Sequence, residues 1–210
     1  RPSGGAARLI CCSTGPGDWQ NVLGLARGDS RCTPCFGVHP WFAASARGGW
    51  LEDMEELLKS VPSCVGEIGL DAVKGQPGQE EIFSAQLRLA SRLGRPAVVH
   101  CVRAWDKMPG LLSGAGLPAF LLHAYGGSAA LVPALAAAGG YFSFGADIAR
   151  PEREKLRAAL PHAMPLMVRV SATDWVDGGW DLEQTVTLAK ELKGLGVDME
   201  TGSGVQHHHG

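Results

Sequence analysis

The stretch VPSCVGEIGLD (residues 61–71) sets a carboxylate inside an apolar run. Val65 and Ile68 read as buried strand, with Glu67 between them and Gly69 and Asp71 close behind. A free charge there is costly to bury. Glu67 therefore asks for a partner: a bound cation, or a cationic side chain such as Arg103 in a buried ion pair. Gly66 and Gly69 let the backbone bend close to whatever Glu67 holds.

On either side of this stretch, apolar β-branched runs alternate with helix-period segments. The strand candidates are RLICC (8–12), TPCFGVH (33–39), CVGEIGL (64–70), AVVHCV (97–102), AFLLHAY (119–125), YFSFGA (141–146) and LMVRVSATD (166–174). The clearest helix is QEEIFSAQLRLASRLG, where Ile82, Phe83, Leu87, Leu89 and Ala90 form an apolar stripe and Gly94 marks the stop. DLEQTVTLAKELKG (181–194) reads as a last helix. Strict alternation of this kind implies a parallel α/β sheet, either open and doubly wound or closed into a barrel.

The polar residues decide between the two. His39, Glu67, His100, His123 and Asp174 each stand at or near the carboxyl end of a different strand. An open sheet spreads such ends along a line. A TIM-like (β/α) barrel gathers them at one mouth. Glu67, His100, His123 and Asp174 then form a ligand set suited to a divalent metal such as zinc. Taken singly, each has a plainer reading: a hydrogen-bonded core histidine, an ion pair for Glu67, a turn cap at DWVDGG for Asp174. Arg103 and Lys74, just past the ligand strands, serve either as phosphate-holding cations or as exposed salt-bridge partners. His39 and Tyr125 either contact substrate or close the mouth.

The chain has 210 residues, enough for one domain with a sizeable core. A formal net charge of −2 argues against tight, sequence-independent grip on a long duplex. No apolar run reaches the roughly 20 residues of a membrane-spanning helix. The six cysteines are dispersed, several in strand-like runs, and point to a reducing, intracellular compartment; cytosol, nucleus and organelle stay open. CTPC (32–35) has redox or zinc spacing, but Pro34 and the following strand favour packing. TGSGVQHHHG (201–210) reads as a flexible tail after a single domain over 1–200.

The ordered motifs FGVHPW, VGEIGLD, QLRLASRLGRPAVVHCVRAW, LLHAYGGS and SATDW resemble the TatD family of metal-dependent deoxyribonucleases, in the amidohydrolase superfamily. HCVRAW and LLHAYGGS resemble a eukaryotic, plant-like branch most. The resemblance implies a TIM-like barrel and a two-metal phosphoesterase site using Mg, Mn or Zn. Glu67 would bridge the ions, and His100 and His123 would complete one of them. Asp174 would bind the other and take the proton from its water, so Glu67 and Asp174 carry the catalysis. His39 and Arg103 would face the substrate.

The sequence departs from the family pattern in four places. No His-x-His strand opens it, so the barrel is expected to lack its first strand, which would lie between RLICC and LMVRVSATD. That leaves two unpaired edges and one metal in place of two. Ala172 stands where a glutamate is usual, Arg169 lies in mid-strand, and the usual C-terminal helix is absent. The expected activity is cleavage of DNA phosphodiester bonds, as an exonuclease on single strands or ends, impaired by the missing strand. DNA would be held weakly by a monomer, without a membrane. Two alternatives stay open: a small-molecule amidohydrolase or esterase on the same barrel, and an inactive homologue that binds metal or partners.

Overall fold

The computed structural model of the chain describes residues 9–165, 167–171, 187 and 199–203. Eight strands form one parallel sheet in which each is hydrogen-bonded to the next in sequence. They are β1 (Leu9–Cys12), β2 (Cys32–Phe36), β3 (Cys64–Asp71), β4 (Ala97–Val102), β5 (Phe120–Leu122), β6 (Gly140–Phe144), β7 (Met167–Ser171) and β8 (Met199–Ser203). Helices α1 (Trp19–Gly28), α2 (Trp50–Ser60), α3 (Gln79–Arg92), α4 (Met108–Ser113), α5 (Val132–Ala137) and α6 (Glu154–Ala159) fill the crossovers. A sheet that adds each new strand on the same side winds in one direction. It curls far enough to bring β8 beside β1. This is the expected TIM-like (β/α) architecture.

The seven expected strands are present as β1 to β7, and an eighth joins them. Seven strands and a gap between β7 and β1 were expected. The gap is occupied by β8, which pairs with β7 from Met167↔Met199 to Ser171↔Ser203. The chain's own later segment thus covers the β7 edge. β8 also runs three residues into the 201–210 stretch expected as a tail; residues 204–210 lie outside the described residues, as does the expected helix 181–194 apart from Thr187.

Alternation along the strands separates two faces. Val65, Ile68, Leu70, Ala97, Val99, Cys101, Phe120, Leu122, Phe142 and Phe144 turn outward into the layer under the helices. Phe83, Leu87, Leu89 and Ala90 of α3, Met54 and Leu58 of α2, and Met108 and Leu112 of α4 meet them there. Each fully buried Phe or Leu contributes about 1.5–3 kcal/mol, so this annulus carries most of the stability. The opposite face of β3 and β4 carries Glu67, Asp71 and His100. α3 ends as its sequence implies: Gly94 takes φ +61° and Arg95 N–H returns to Ala90 O at 2.8 Å.

β3 and β4 form the tightest joint near the polar face. The register runs Val65↔Ala97 and then Ile68↔Val99, so β3 carries one extra residue around Gly66 and Glu67. Such a bulge re-aims the side chain beside it. Two residues on, a Cβ at Gly69 (φ +150°) would lie 1.9 Å from the His100 carbonyl oxygen. Gly69→Ala is therefore expected to destabilise the fold by more than about 3 kcal/mol in urea denaturation, because the clash is with backbone and the conformation is closed to side chains. Gly24→Ala, in α1 with open space around it, serves as the control and is expected to be neutral or slightly stabilising.

Candidate metal centre

Four elements deliver side chains to the carboxyl end of the sheet. His39 follows β2 and begins the 3-10 turn Pro40–Ser45. Glu67 and Asp71 come from β3 and His100 from β4. His123 follows β5 directly, its amide donating to Val99 O at 2.9 Å. Ser13, fully buried after β1, ties three strand ends together. Its Oγ accepts from Gly37 N–H at 2.9 Å, and its carbonyl accepts from Glu67 N–H at 3.2 Å.

The centre of the site is His100. Its Nδ1 lies 3.2 Å from Glu67 Oε1 and its Nε2 lies 3.2 Å from Asp71 Oδ2. The His39 ring packs edge-on against it, centroids 4.4 Å apart. Ligand atoms of His39, Glu67 and His100 all fall within 4.8 Å of one another, the one such metal-sized cluster among the described residues. His123 stands beside them, close enough to act on the charges of Glu67 and His39, and its Nδ1 lies 3.5 Å from Ser143 Oγ.

Asp71 joins the cluster although sequence reasoning did not count it as a site residue. It is 2% exposed and saturated with donors. Oδ2 accepts from the Trp41 indole N–H at 2.6 Å, and Oδ1 accepts from Val73 and Lys74 amides at 2.8 Å each. The signal was present: Glu67, Gly69 and Asp71 share one strand face at spacing two, so the second carboxylate had to enter the same mouth.

The electrostatics follow from these contacts. Burial pushes Glu67 up, but the His100 hydrogen bond and the charges of His123, His100 and His39 outweigh it and hold the carboxyl at about 2. Asp71 is likewise raised by burial and brought to about 2 by Trp41, the two turn amides and His100. His100 loses basicity to burial and regains more from Glu67 and Asp71, ending above its ordinary value. His39 goes the other way, to about 4, chiefly through burial and then through the charge of His100. It is therefore neutral near pH 7. Its Nδ1 accepts from Trp41 N–H at 3.2 Å, which leaves the ring's single proton on Nε2.

The remaining expected residues divide. Lys74 places its Nζ 4.7 Å from the Trp41 ring centre, a cation–π contact at the rim. Arg103, exposed, sits at φ +51° just after β4. No ion pair joins it to Glu67, whose partner among the described residues is His100. Tyr125 is only 3% exposed. Its hydroxyl donates to Ser128 O at 2.8 Å, and its ring packs on Trp105, Phe142 and Phe144, so it closes the structure beneath the rim. Asp174, Ala172 and the side chain of Arg169 lie outside what is described.

Comparison with known proteins agrees with this architecture. Residues 3–178 match the family model described as TatD related DNase. A 3'-5' ssDNA/RNA exonuclease TatD from Edwardsiella piscicida is 36% identical over 138 residues, 62% of this chain and 53% of that protein. The human deoxyribonuclease TATDN3 is 29% identical over 171 residues, 73% of this chain and 62% of that one. The chain thus spans little more than half the length of these curated relatives. Among solved structures, the TatD homologue YjjV from Escherichia coli superposes with a TM-score of 0.70 at 25% identity, covering 91% of this chain and 79% of that one. A TatD family hydrolase from Entamoeba histolytica (TM-score 0.67, 17% identity, covering 78% of this chain and 60% of that one) shares the fold.

Asp71→Ala is expected to leave the Trp41 indole, His100 Nε2 and two turn amides without their acceptor. A loss of about 2–4 kcal/mol in urea denaturation is the expected outcome. A loss no larger than that of an exposed-surface substitution would show that the carboxylate organises nothing.

Proposed function

Because the chain belongs to the TatD-related DNase family, we propose that it is a divalent-metal-dependent hydrolase that cleaves phosphodiester bonds of DNA, on single strands or ends, at the carboxyl mouth of its barrel. The observation that carries this reading is the convergence of two ligand residues, Glu67 and His100, with His39 facing them, all within 4.8 Å on three different strand ends. The curated names of the relatives, a single-strand exonuclease and a deoxyribonuclease, support the substrate class.

The donor set fits a borderline divalent cation: a carboxylate held ionised, imidazoles, and no thiolate. Glu67 and the Nδ1 of His100 would hold it, with His123 beside them and Asp174 added from the segment after β7. When bound, the ion, Mg, Mn or Zn, supplies positive charge that acidifies water and offsets charge on the attacked phosphate. The other steps belong to the chain. Asp71, on His100 Nε2, fixes that ring's orientation and tautomer, the usual task of an outer carboxylate in a histidine–metal site. A ligand on His123 Nε2 would select the tautomer whose Nδ1–H donates to Ser143 Oγ. His39, neutral with its proton on Nε2, is a hydrogen-bond donor aimed into the cluster and suits a phosphate oxygen. That keeps His39 on the substrate side and out of the ligand set. Lys74 and Arg103 add charge at the rim, where one strand end is engaged briefly.

The six cysteines are all free thiols. No helix among the described residues is long and apolar enough to cross a membrane.

With Mg²⁺ or Mn²⁺ the protein is expected to shorten end-labelled single-stranded DNA, and a chelator is expected to stop it. Glu67→Gln, His100→Ala and His123→Ala are each expected to lower the rate more than about 100-fold and to reduce bound metal measured by elemental analysis. Cleavage at the parent rate by Glu67→Gln or His100→Ala would remove the site from the reaction.

A further inference from the structure

Two glutamines of α3 occupy positions that an apolar stripe would give to core residues. Gln86 is 0% exposed, between Phe83 and Leu89. Its side-chain amide bonds one residue of the main chain at both ends: Oε1 accepts from Val38 N–H at 2.6 Å and Nε2 donates to Val38 O at 3.2 Å. Val38 immediately precedes His39. Gln79 repeats the pattern on β3, with Oε1 accepting from Asp71 N–H at 2.8 Å and Nε2 donating to Asp71 O at 3.2 Å. The two glutamines are seven residues apart, two helical turns, and so lie on one face of α3.

The sheet explains why they are needed. The β2–β3 ladder consists of Cys35↔Cys64 and Phe36↔Val65 and then stops. Beyond it no β3 residue pairs with Val38, so its peptide groups lack the strand partner that a continued ladder would supply. A buried peptide group without a partner costs about 1–3 kcal/mol. A primary amide offers one donor and one acceptor side by side, the same pair that a neighbouring strand would present. Gln86 stands in for the missing strand at Val38, and Gln79 holds the main chain of Asp71 in the same way.

We propose that Gln86 and Gln79 are positioning residues of the reaction. They peg the main chain of Val38 and Asp71 to α3, so that His39 presents its Nε2–H and Asp71 its carboxylate at fixed places. The inference rests on the proposed role of His39 as a donor to substrate. Gln86 touches neither metal nor substrate and acts through His39 alone. Removing its amide while keeping its bulk should therefore loosen His39 without emptying the metal ligands.

The test is Gln86→Met, alone and combined with His39→Ala, in the metal-loaded protein well below the unfolding midpoint. The expected result is a kcat about 10- to 100-fold lower, the usual effect of losing an outer-shell partner, with KM and bound metal near the parent values. The double variant is expected to be no slower than His39→Ala. A merely structural role would lower the unfolding midpoint and leave kcat unchanged while the protein is folded; that result, or a double variant slower than His39→Ala, would overturn the proposal. Nitrogen NMR of the histidine rings provides a readout without turnover. The parent should show His39 protonated at Nε2 alone, and Gln86→Met should shift that signal toward mixed tautomers; an unchanged signal would also overturn it. If Gln86→Met does not fold, Gln79→Met, at a less buried position, is read through the ring signals of His100. A parent protein without metal-dependent cleavage would sink the proposed function, and the ring signals would still decide whether the glutamines set the site.

Discussion

His100 is held between two carboxylates of one strand, and the rest of the site is arranged around that sandwich. Glu67 and Asp71 lie on the same face of β3, four residues apart, and reach opposite nitrogens of one ring on β4. Two buried acids so close would repel each other and shift toward protonation if nothing cationic lay between them. The ring removes that conflict, and each acid is held far below its ordinary range. The price is geometric: β3 and β4 must be in direct register with a bulge at Gly66–Glu67 and no side chain at Gly69. The tightest joint of the sheet therefore lies beneath the centre of the site.

A parallel sheet with its strands in sequence order has only two edges, and closing it turns those edges into each other's cover. β8 serves this purpose on the β7 side. Met199–Ser203 lies where an N-terminal strand was expected, reached from the other end of the chain. Topologically the two solutions are equivalent for the sheet, because a strand between β7 and β1 can be entered from either neighbour. They are not equivalent for the mouth, since each brings different residues to the carboxyl end.

The legible part of this molecule was the part written in periodicity. His39, Glu67, His100 and His123 could be read because each is a polar residue in or just after an apolar run, toward its carboxyl end, and the barrel followed from needing one place where they meet. β4 matches its expected bounds, and α3 ends at Gly94 as its stripe implied. The fine structure of the site was not legible in the same way. Asp71 looks like the end of a strand until Trp41, distant in sequence, turns its indole onto it. Tyr125 looks like a rim residue, but its hydroxyl is taken by a carbonyl three residues on. Gln86 broke the apolar stripe of α3. A polar residue at a buried stripe position has to answer for its hydrogen bonds, and its partner was the peptide before His39.

The two histidines nearest the centre show how one environment assigns opposite roles. Their rings are in contact, so a proton on one disfavours a proton on the other. His100 faces two carboxylates and keeps the higher affinity for a proton. His39 faces the Trp41 amide on one side and His100 on the other, and burial removes the water that would stabilise its charged form. It stays neutral, and the amide dictates which nitrogen carries its hydrogen. Pairs of titratable groups driven apart in this way mark a division of labour in a reaction site. In the proposed reaction one ring would hold a cation, and the other would offer a hydrogen bond to the anion that the cation attracts.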